Sequence, residues 1–117
     1  MKKKHILFIC TEARQRSPTA ADIINNSPEY KEKYKAKAAG LLPLAAIHVT
    51  EHAIKWADII IVMNEKDDHH KTLLLQGFPE LQTTKKLVYD FNIRDIYLRG
   101  EEELVELLKR KIAKILN

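Results

Sequence analysis

Cys10-Thr11-Glu12-Ala13-Arg14-Gln15-Arg16-Ser17 places a thiol and a guanidinium at the two ends of a short segment. The apolar run Ile6-Leu7-Phe8-Ile9 precedes it, and Pro18-Thr19-Ala20-Ala21-Asp22-Ile23-Ile24 follows as a helical stretch. A loop that turns from a strand into a helix points successive backbone N–H groups inward. Those donors, with the positive end of the helix, make a site for a dianion. The guanidinium of Arg16 can fork onto two phosphoryl oxygens, which a lysine ammonium cannot do. Free thiols titrate near ~8.5. Beside a helix N-terminus and an arginine they fall to about 3.5–7.5, so the placement favours a thiolate. A thiolate in a phosphate cradle is positioned to attack phosphorus and form a phosphocysteine. Cys10 is the expected nucleophile, with Thr11, Glu12, Ala13, Arg14, Gln15, Arg16 and Ser17 as the cradle. Ser17 can also hydrogen-bond the sulfur and ease its departure, and Pro18 suits the first turn of a helix. The competing reading of a lone cysteine is a small buried hydrophobe at a strand end. The strand before it and the Arg-Ser-Pro after it favour the phosphate loop.

The elements that must position this loop follow from pattern and punctuation. Strands are expected at 4–9, 34–39, 58–63 and 86–90. Helices are expected at 17–26, 50–56, 65–76 and 101–116, with a polar turn at 28–33. Thr50 is a good N-cap, and Gly40 and Gly77 permit the turns that follow their segments. The β-branched run Ile59-Ile60-Ile61-Val62 reads as a buried parallel strand. The last helix has an acidic start and a basic end, which suits its dipole. Alternating strands and helices imply right-handed crossovers and a parallel sheet. Ligands bind at the carboxyl ends of such strands, so the loops 40–49, 63–65 and 90–100 are expected to share the edge where Cys10 lies.

With 117 residues the expectation is a single domain, 1–117. Hydrophobic content of 45% and charged content of 31% fit a soluble globular chain. No apolar run approaches the ~20 residues of a membrane span. The basic start Met1-Lys2-Lys3-Lys4 is followed by an apolar run of only strand length and no small-residue cleavage site, so no signal peptide is expected. A single cysteine excludes an internal disulfide and suits a reducing, cytoplasmic location. The net charge of +4 is concentrated in 31–37 and 109–114. No nucleic-acid motif or aromatic platform accompanies it, so these stretches read as solvated helix faces rather than a nucleic-acid surface. His69-His70 beside Asp67-Asp68 has the composition of a metal site. Adjacent helical residues point apart, however, so a solvated face is the expectation there and no metal is called for. Trp56 reads as core. Tyr89, Phe91 and Tyr97 either wall an aromatic slot or pack.

Over nearly the whole chain these features resemble the low-molecular-weight protein tyrosine phosphatases. Ile6-Leu7-Phe8-Ile9-Cys10 and Arg16-Ser17-Pro18-Thr19-Ala20-Ala21-Asp22-Ile23-Ile24 look like that family's opening strand, loop and helix. Lys37-Ala38-Ala39-Gly40 sits where the family has a Ser-Ala-Gly turn, and 48–65 is similar to its helix–strand segment ending in Met plus an acidic residue. The short prokaryotic branch is matched further by Trp56-Ala57-Asp58, Phe78-Pro79, Asn92-Ile93-Arg94-Asp95 and Glu103-Leu104-Val105-Glu106-Leu107-Leu108. The resemblance implies a flavodoxin-like, three-layer αβα fold with a four-stranded parallel sheet in the order 2-1-3-4. It implies a metal-independent phosphomonoesterase without cofactors, acting on a phosphotyrosine protein or a small aryl phosphate. It also implies an Asp, on the loop after strand four, that protonates the leaving oxygen, a role that contributes roughly 10²–10⁴-fold in such steps. Matching back from the last helix puts Asp95 in that role, with Asp90 the alternative. His48 falls where the family has a histidine that hydrogen-bonds the phosphate loop from behind.

The chain departs from the family pattern at several positions. Ala13 replaces an Asn that shores up the loop, Ala38 the turn Ser, Leu41 a Thr and Arg94 the Pro of the acid stretch. Gln15 stands where many relatives carry a second, protective Cys. Glu12 is unfavourable near a dianion unless it points outward, where Arg14 can compensate it. These departures keep a non-catalytic phosphate- or phosphopeptide-binding module in contention. A related arsenate reductase, the lesser alternative, resolves its cysteine adduct with further cysteines; this chain has none, so only an external thiol could serve. Phosphocysteine-carrying transport subunits lack the closing Arg that is present here.

Overall fold

Ile6, Leu7, Phe8 and Ile9 are all out of solvent, which requires a strand covered on both faces. The computed structural model describes residues 2–84 and 86–116 and places this run in β1 (Lys4–Cys10), inside a parallel sheet. β2 (Tyr34–Gly40) pairs along one side of β1, from Lys4↔Tyr34 to Cys10↔Gly40. β3 (Ile59–Val62) pairs along the other, and β4 (Leu87–Asp90) pairs with β3. The order is therefore β2-β1-β3-β4, as expected.

Side chains alternate across a strand, and β1 divides the core accordingly. Ile6, Phe8 and Cys10 face α1 (Arg16–Asn26) and α4 (Glu102–Leu116), packing with Ala20, Ala21, Ile24, Leu104, Leu108 and Ile112. Leu7 and Ile9 face α2 (Glu51–Trp56) and α3 (His70–Gly77), packing with Ile54, Ile60, Val62, Leu74 and Leu81. The result is three layers. In α4 the buried residues Leu104, Leu108 and Ile112 recur every fourth position, so one stripe docks on the sheet. Each such side chain contributes about 1.5–3 kcal/mol of burial. Asn25 of α1 bonds both the N–H and the C=O of Ala36, each at 2.9 Å. It thereby supplies partners that edge strand β2 otherwise lacks.

Most expected elements appear within a residue or two of their predicted ends. The third helix differs: it was expected from residue 65 and begins at His70. Asn64 is fully buried, and its Oδ1 accepts the N–H groups of Asp67 and Asp68 at 2.6 and 3.3 Å. That side chain holds 64–69 as a turn in place of a helical turn. His69, at φ 54°, closes the turn in the left-handed region. The Glu65 carboxylate then accepts the N–H and hydroxyl of Thr72 in the first turn of α3. These bonds hold its pKa below the usual carboxylate value. Among the described residues no helix is long and apolar enough to cross a membrane.

Candidate active site

β1 ends at Cys10 and α1 begins at Arg16, so the segment between them is the turn at the carboxyl edge of the sheet. Cys10 is buried, its Sγ 2.9 Å from Ser17 Oγ, and the Ala13 N–H points at the sulfur from 3.2 Å. Ala13 adopts φ 59° to make that approach. A left-handed conformation costs a residue with a Cβ roughly 1–2 kcal/mol. The loop opens on a cavity of about 120 Å³ lined by Cys10, Thr11, Glu12, Arg14, Gln15, Arg16 and Asp95. Glu12 and Arg14 are both exposed and pair with each other, 3.3 Å from Nε to Oε2, which draws the carboxylate of Glu12 onto a cation.

Arg16 is a buried charge. Its side chain is 1% exposed. Nη1 donates to Asp68 Oδ2 at 2.8 Å and to the Ile93 carbonyl at 2.7 Å. Nε has no hydrogen-bond partner and lies 3.8 Å from Asp95 Oδ1. One edge of the guanidinium is therefore committed to the scaffold, while a buried donor is left over for something else. A buried unpaired donor costs about 1–3 kcal/mol, and an anion in the cavity would recover it.

The two Asp candidates separate. Asp90 is exposed and its Oδ1 accepts the Asn92 N–H at 2.9 Å, forming the turn in which Asn92 takes φ 53°. Asp95 lines the cavity with Cys10 and Arg16. The loop that carries it is fastened at both ends. Phe91 and Ile93 N–H groups bond to the carbonyls of Val62 and Met63, extending the sheet pairing. At its far end the Arg99 N–H donates to Gln15 Oε1 at 2.6 Å, Arg99 pairs with Asp22 at 3.0 Å, and the Gly100 N–H donates to Thr19 Oγ1 at 3.0 Å. Gln15 thus ties the 91–100 loop to the loop between Cys10 and Arg16.

His48 does not reach the phosphate loop. It is exposed, its backbone bridges Gly40, and its side chain makes no hydrogen bond among the described residues. The histidine behind the loop is His70, expected on a solvated face but 0% exposed. Its Nε2 lies 2.9 Å from Thr11 Oγ1, and its Nδ1 accepts the Asn64 N–H at 3.0 Å. An acceptor at Nδ1 places the proton of the neutral ring on Nε2, which donates to Thr11. Burial, then the nearby Arg16 charge, lower its pKa from 6.5 to about 4, against the opposing pull of Asp68, Asp90 and Asp95. Among the described residues no group of three or more His, Cys, Asp or Glu gathers as a metal-ligand set.

Gly40 seats the loop from the other side. A Cβ there would lie 2.7 Å from Ala45 Cβ and 2.8 Å from both the Thr11 carbonyl oxygen and the Glu12 carbonyl carbon. Only glycine lets β2 approach this closely. Beyond it, the N–H groups of Leu41, Leu42 and Ala46 bond to the carbonyls of Cys10, Thr11 and Glu12 at 3.1, 3.1 and 2.9 Å. The aromatic slot is absent. Phe91 is buried and Tyr89 and Tyr97 pack against the same core, so none of the three lines the cavity.

No family model matches the sequence, and no curated protein matches it. Solved structures do match. A low molecular weight protein tyrosine phosphatase from T. tengcongensis superposes with a TM-score of 0.71 at 20% identity, over 97% of this chain and 100% of that one. The fold is that of the low molecular weight protein tyrosine phosphatases. Vibrio vulnificus Wzb in complex with benzylphosphonate gives a TM-score of 0.71 at 20% identity, over 97% of each chain. The YwlE arginine phosphatase from Geobacillus stearothermophilus gives 0.70 at 21% identity, over 96% of this chain and 92% of that one. At these identities the likeness is one of architecture, so the chemistry rests on the residues.

Proposed function

We propose that the protein is a cysteine-dependent phosphomonoesterase acting on phosphotyrosine or another aryl phosphate. The observation that carries this reading is the meeting of Cys10, Arg16 and Asp95 at one small polar cavity. The phosphoryl group sits over Cys10, its equatorial oxygens held by the loop N–H groups and the free Nε edge of Arg16. The Cys10 thiolate forms the S–P bond as the P–O bond to the leaving group breaks. Asp95 supplies the proton to that oxygen. Its carboxylate then takes a proton from a water that attacks the phosphocysteine, releasing phosphate. Ser17 stabilises the departing thiolate by a hydrogen bond. Arg16 and backbone donors supply the positive potential, so the proposal needs no metal. Proteins of this fold include a tyrosine phosphatase, an arginine phosphatase and a protein solved with benzylphosphonate, and these support a phosphoryl-binding role.

The test is hydrolysis of p-nitrophenyl phosphate across pH 4–8 with EDTA present, comparing the parent, Cys10→Ser and Asp95→Asn. The proposal expects turnover in the parent, none in Cys10→Ser and a loss of about 10²–10⁴-fold in Asp95→Asn for a poor leaving group. The strained, side-chain-poor Ala13 favours a second reading, a phosphate-binding module without turnover. Phosphate or vanadate binding by an inactive parent would establish that reading instead.

A further inference from the structure

Exposed apolar side chains are not scattered evenly over this molecule. Seven large ones are exposed among the described residues, and five of them, Leu42, Leu44, Ile47, Ile96 and Leu98, lie on the two loops beside the cavity. Leu44 is 90% exposed and Leu98 67%. Single exposed leucines are ordinary; grouping at the mouth of a site marks a contact surface.

Both loops are fixed relative to the phosphate loop, at its opposite ends. Leu42 and Ala46 bond to Thr11 and Glu12 at the start. Gln15 and Arg16 at the end hold Arg99 and Ile93. The loops that carry these apolar residues therefore flank the cavity-forming loop at its two ends. The cavity itself holds about 120 Å³ and is lined almost wholly by polar and charged groups. Pockets that enclose a small ligand run to roughly 300–1,000 Å³ and are mostly apolar. There is room here for a phosphoryl group, and no aromatic or aliphatic wall for what is attached to it. Anything else in the substrate must rest on the rim.

We infer that this rim is a docking surface for a phosphoprotein segment whose phosphotyrosine has aliphatic residues on both sides. This rests on the phosphatase reading above. The occupant must carry a dianion at its centre, to meet Arg16 and the loop N–H groups, and apolar groups on either side. An extended peptide advances about 3.3 Å per residue and projects side chains on both sides of the modified one; a free aryl phosphate has no such arms. Acidic flanks would have to shed water onto leucine side chains, at a cost.

The test separates docking from catalysis. Binding of phosphotyrosine peptides to the Cys10→Ser protein is read by fluorescence anisotropy. Two peptides are compared, identical except for Leu or Asp at the positions flanking the phosphotyrosine. The Leu peptide is expected to bind roughly ten-fold tighter or better. Adding Leu44→Ser and Leu98→Ser, both at exposed positions, is expected to erase that preference. The same pair placed in the Cys10 protein should leave p-nitrophenyl phosphate turnover unchanged. Equal affinities, or a preference that survives the double substitution, overturns the inference. So does a parent dimer in sedimentation that Leu44→Ser dissociates, since the rim then belongs to a second copy. Absence of turnover in the parent would count against the phosphatase reading, while the affinity comparison would still decide the docking one.

Discussion

His70 is built to stay neutral, and that predicts a pH dependence of stability with a defined sign. The ring is out of solvent, accepts the Asn64 N–H at Nδ1 and donates from Nε2 to Thr11. Protonation would destroy the Nδ1 acceptor, turn it against the Asn64 N–H and bury a cation beside Arg16. The folded pKa of about 4 lies below the unfolded 6.5, so the unfolded chain binds the proton more readily. The contribution is fully present above pH 6.5 and is lost as pH falls toward 4. With one pKa unit equal to 1.36 kcal/mol, the loss is about 2 kcal/mol between pH 7.5 and 5 and about 3 kcal/mol by pH 4. The comparison variant is His70→Gln, which cannot titrate and keeps a donor toward Thr11. It leaves the Asn64 N–H without its acceptor, so it starts about 1–3 kcal/mol less stable at pH 7.5. Urea unfolding of both proteins at a series of pH values should show that gap shrinking by about 2 kcal/mol on reaching pH 5. Carboxylates titrating nearby affect both proteins and drop out of the difference. A gap that stays constant would refute the reasoning. An imidazole resonance of His70 titrating near 6.5 would refute it directly.

Three further outcomes follow from the same geometry. Asp68→Asn removes the charge that fixes one edge of Arg16; kcat for an aryl phosphate should fall on the order of 10²-fold, and Asp68→Glu should recover part of it, measured by steady-state kinetics. Gly40→Ala forces a Cβ onto the phosphate-loop backbone, so thermal melts should show a loss of about 1–3 kcal/mol, with kcat/KM falling alongside. Ala13→Gly relieves the φ 59° strain and should stabilise the fold by up to about 1 kcal/mol in urea melts, whereas the β-branched Ala13→Val should destabilise it.

What the sequence made legible was the part governed by local rules. An apolar run, a Cys-to-Arg spacing and a helix with Pro18 in its first turn are contiguous, and so the loop, β1 and α1 could be placed from pattern alone. Sheet order followed from the alternation of elements and the family resemblance. Asp95 was reachable because it lies at a countable distance from the Glu103–Leu108 stretch. Asp90, equally acidic, accepts the N–H of Asn92 only two residues on and does not line the cavity, a difference that composition does not show.

His70 was not legible, for a physical reason rather than for lack of signal in the residue itself. The expectation of a helix over 65–76 put His69 and His70 on a polar face, and the helical period gave no cause to turn either inward. The side chain of Asn64 changes that by capping two N–H groups, so that the chain enters α3 five residues later and His70 arrives at its first position, facing the sheet edge. Such a capping choice competes with helix formation by only about 1 kcal/mol, too small for composition to decide. Its consequences are long-range: Thr11 and His70 are 59 residues apart, Arg16 and Asp68 are 52, and Arg16 and Ile93 are 77. The same logic covers His48. Its position in the chain suits the role, but the loop 41–48 reaches the phosphate loop through backbone N–H groups and leaves that side chain in solvent. The side-chain support of the Cys10–Arg16 loop thus comes from the first position of α3 and not from the segment the resemblance pointed to, because the geometry constrains where a donor must stand and not which segment delivers it.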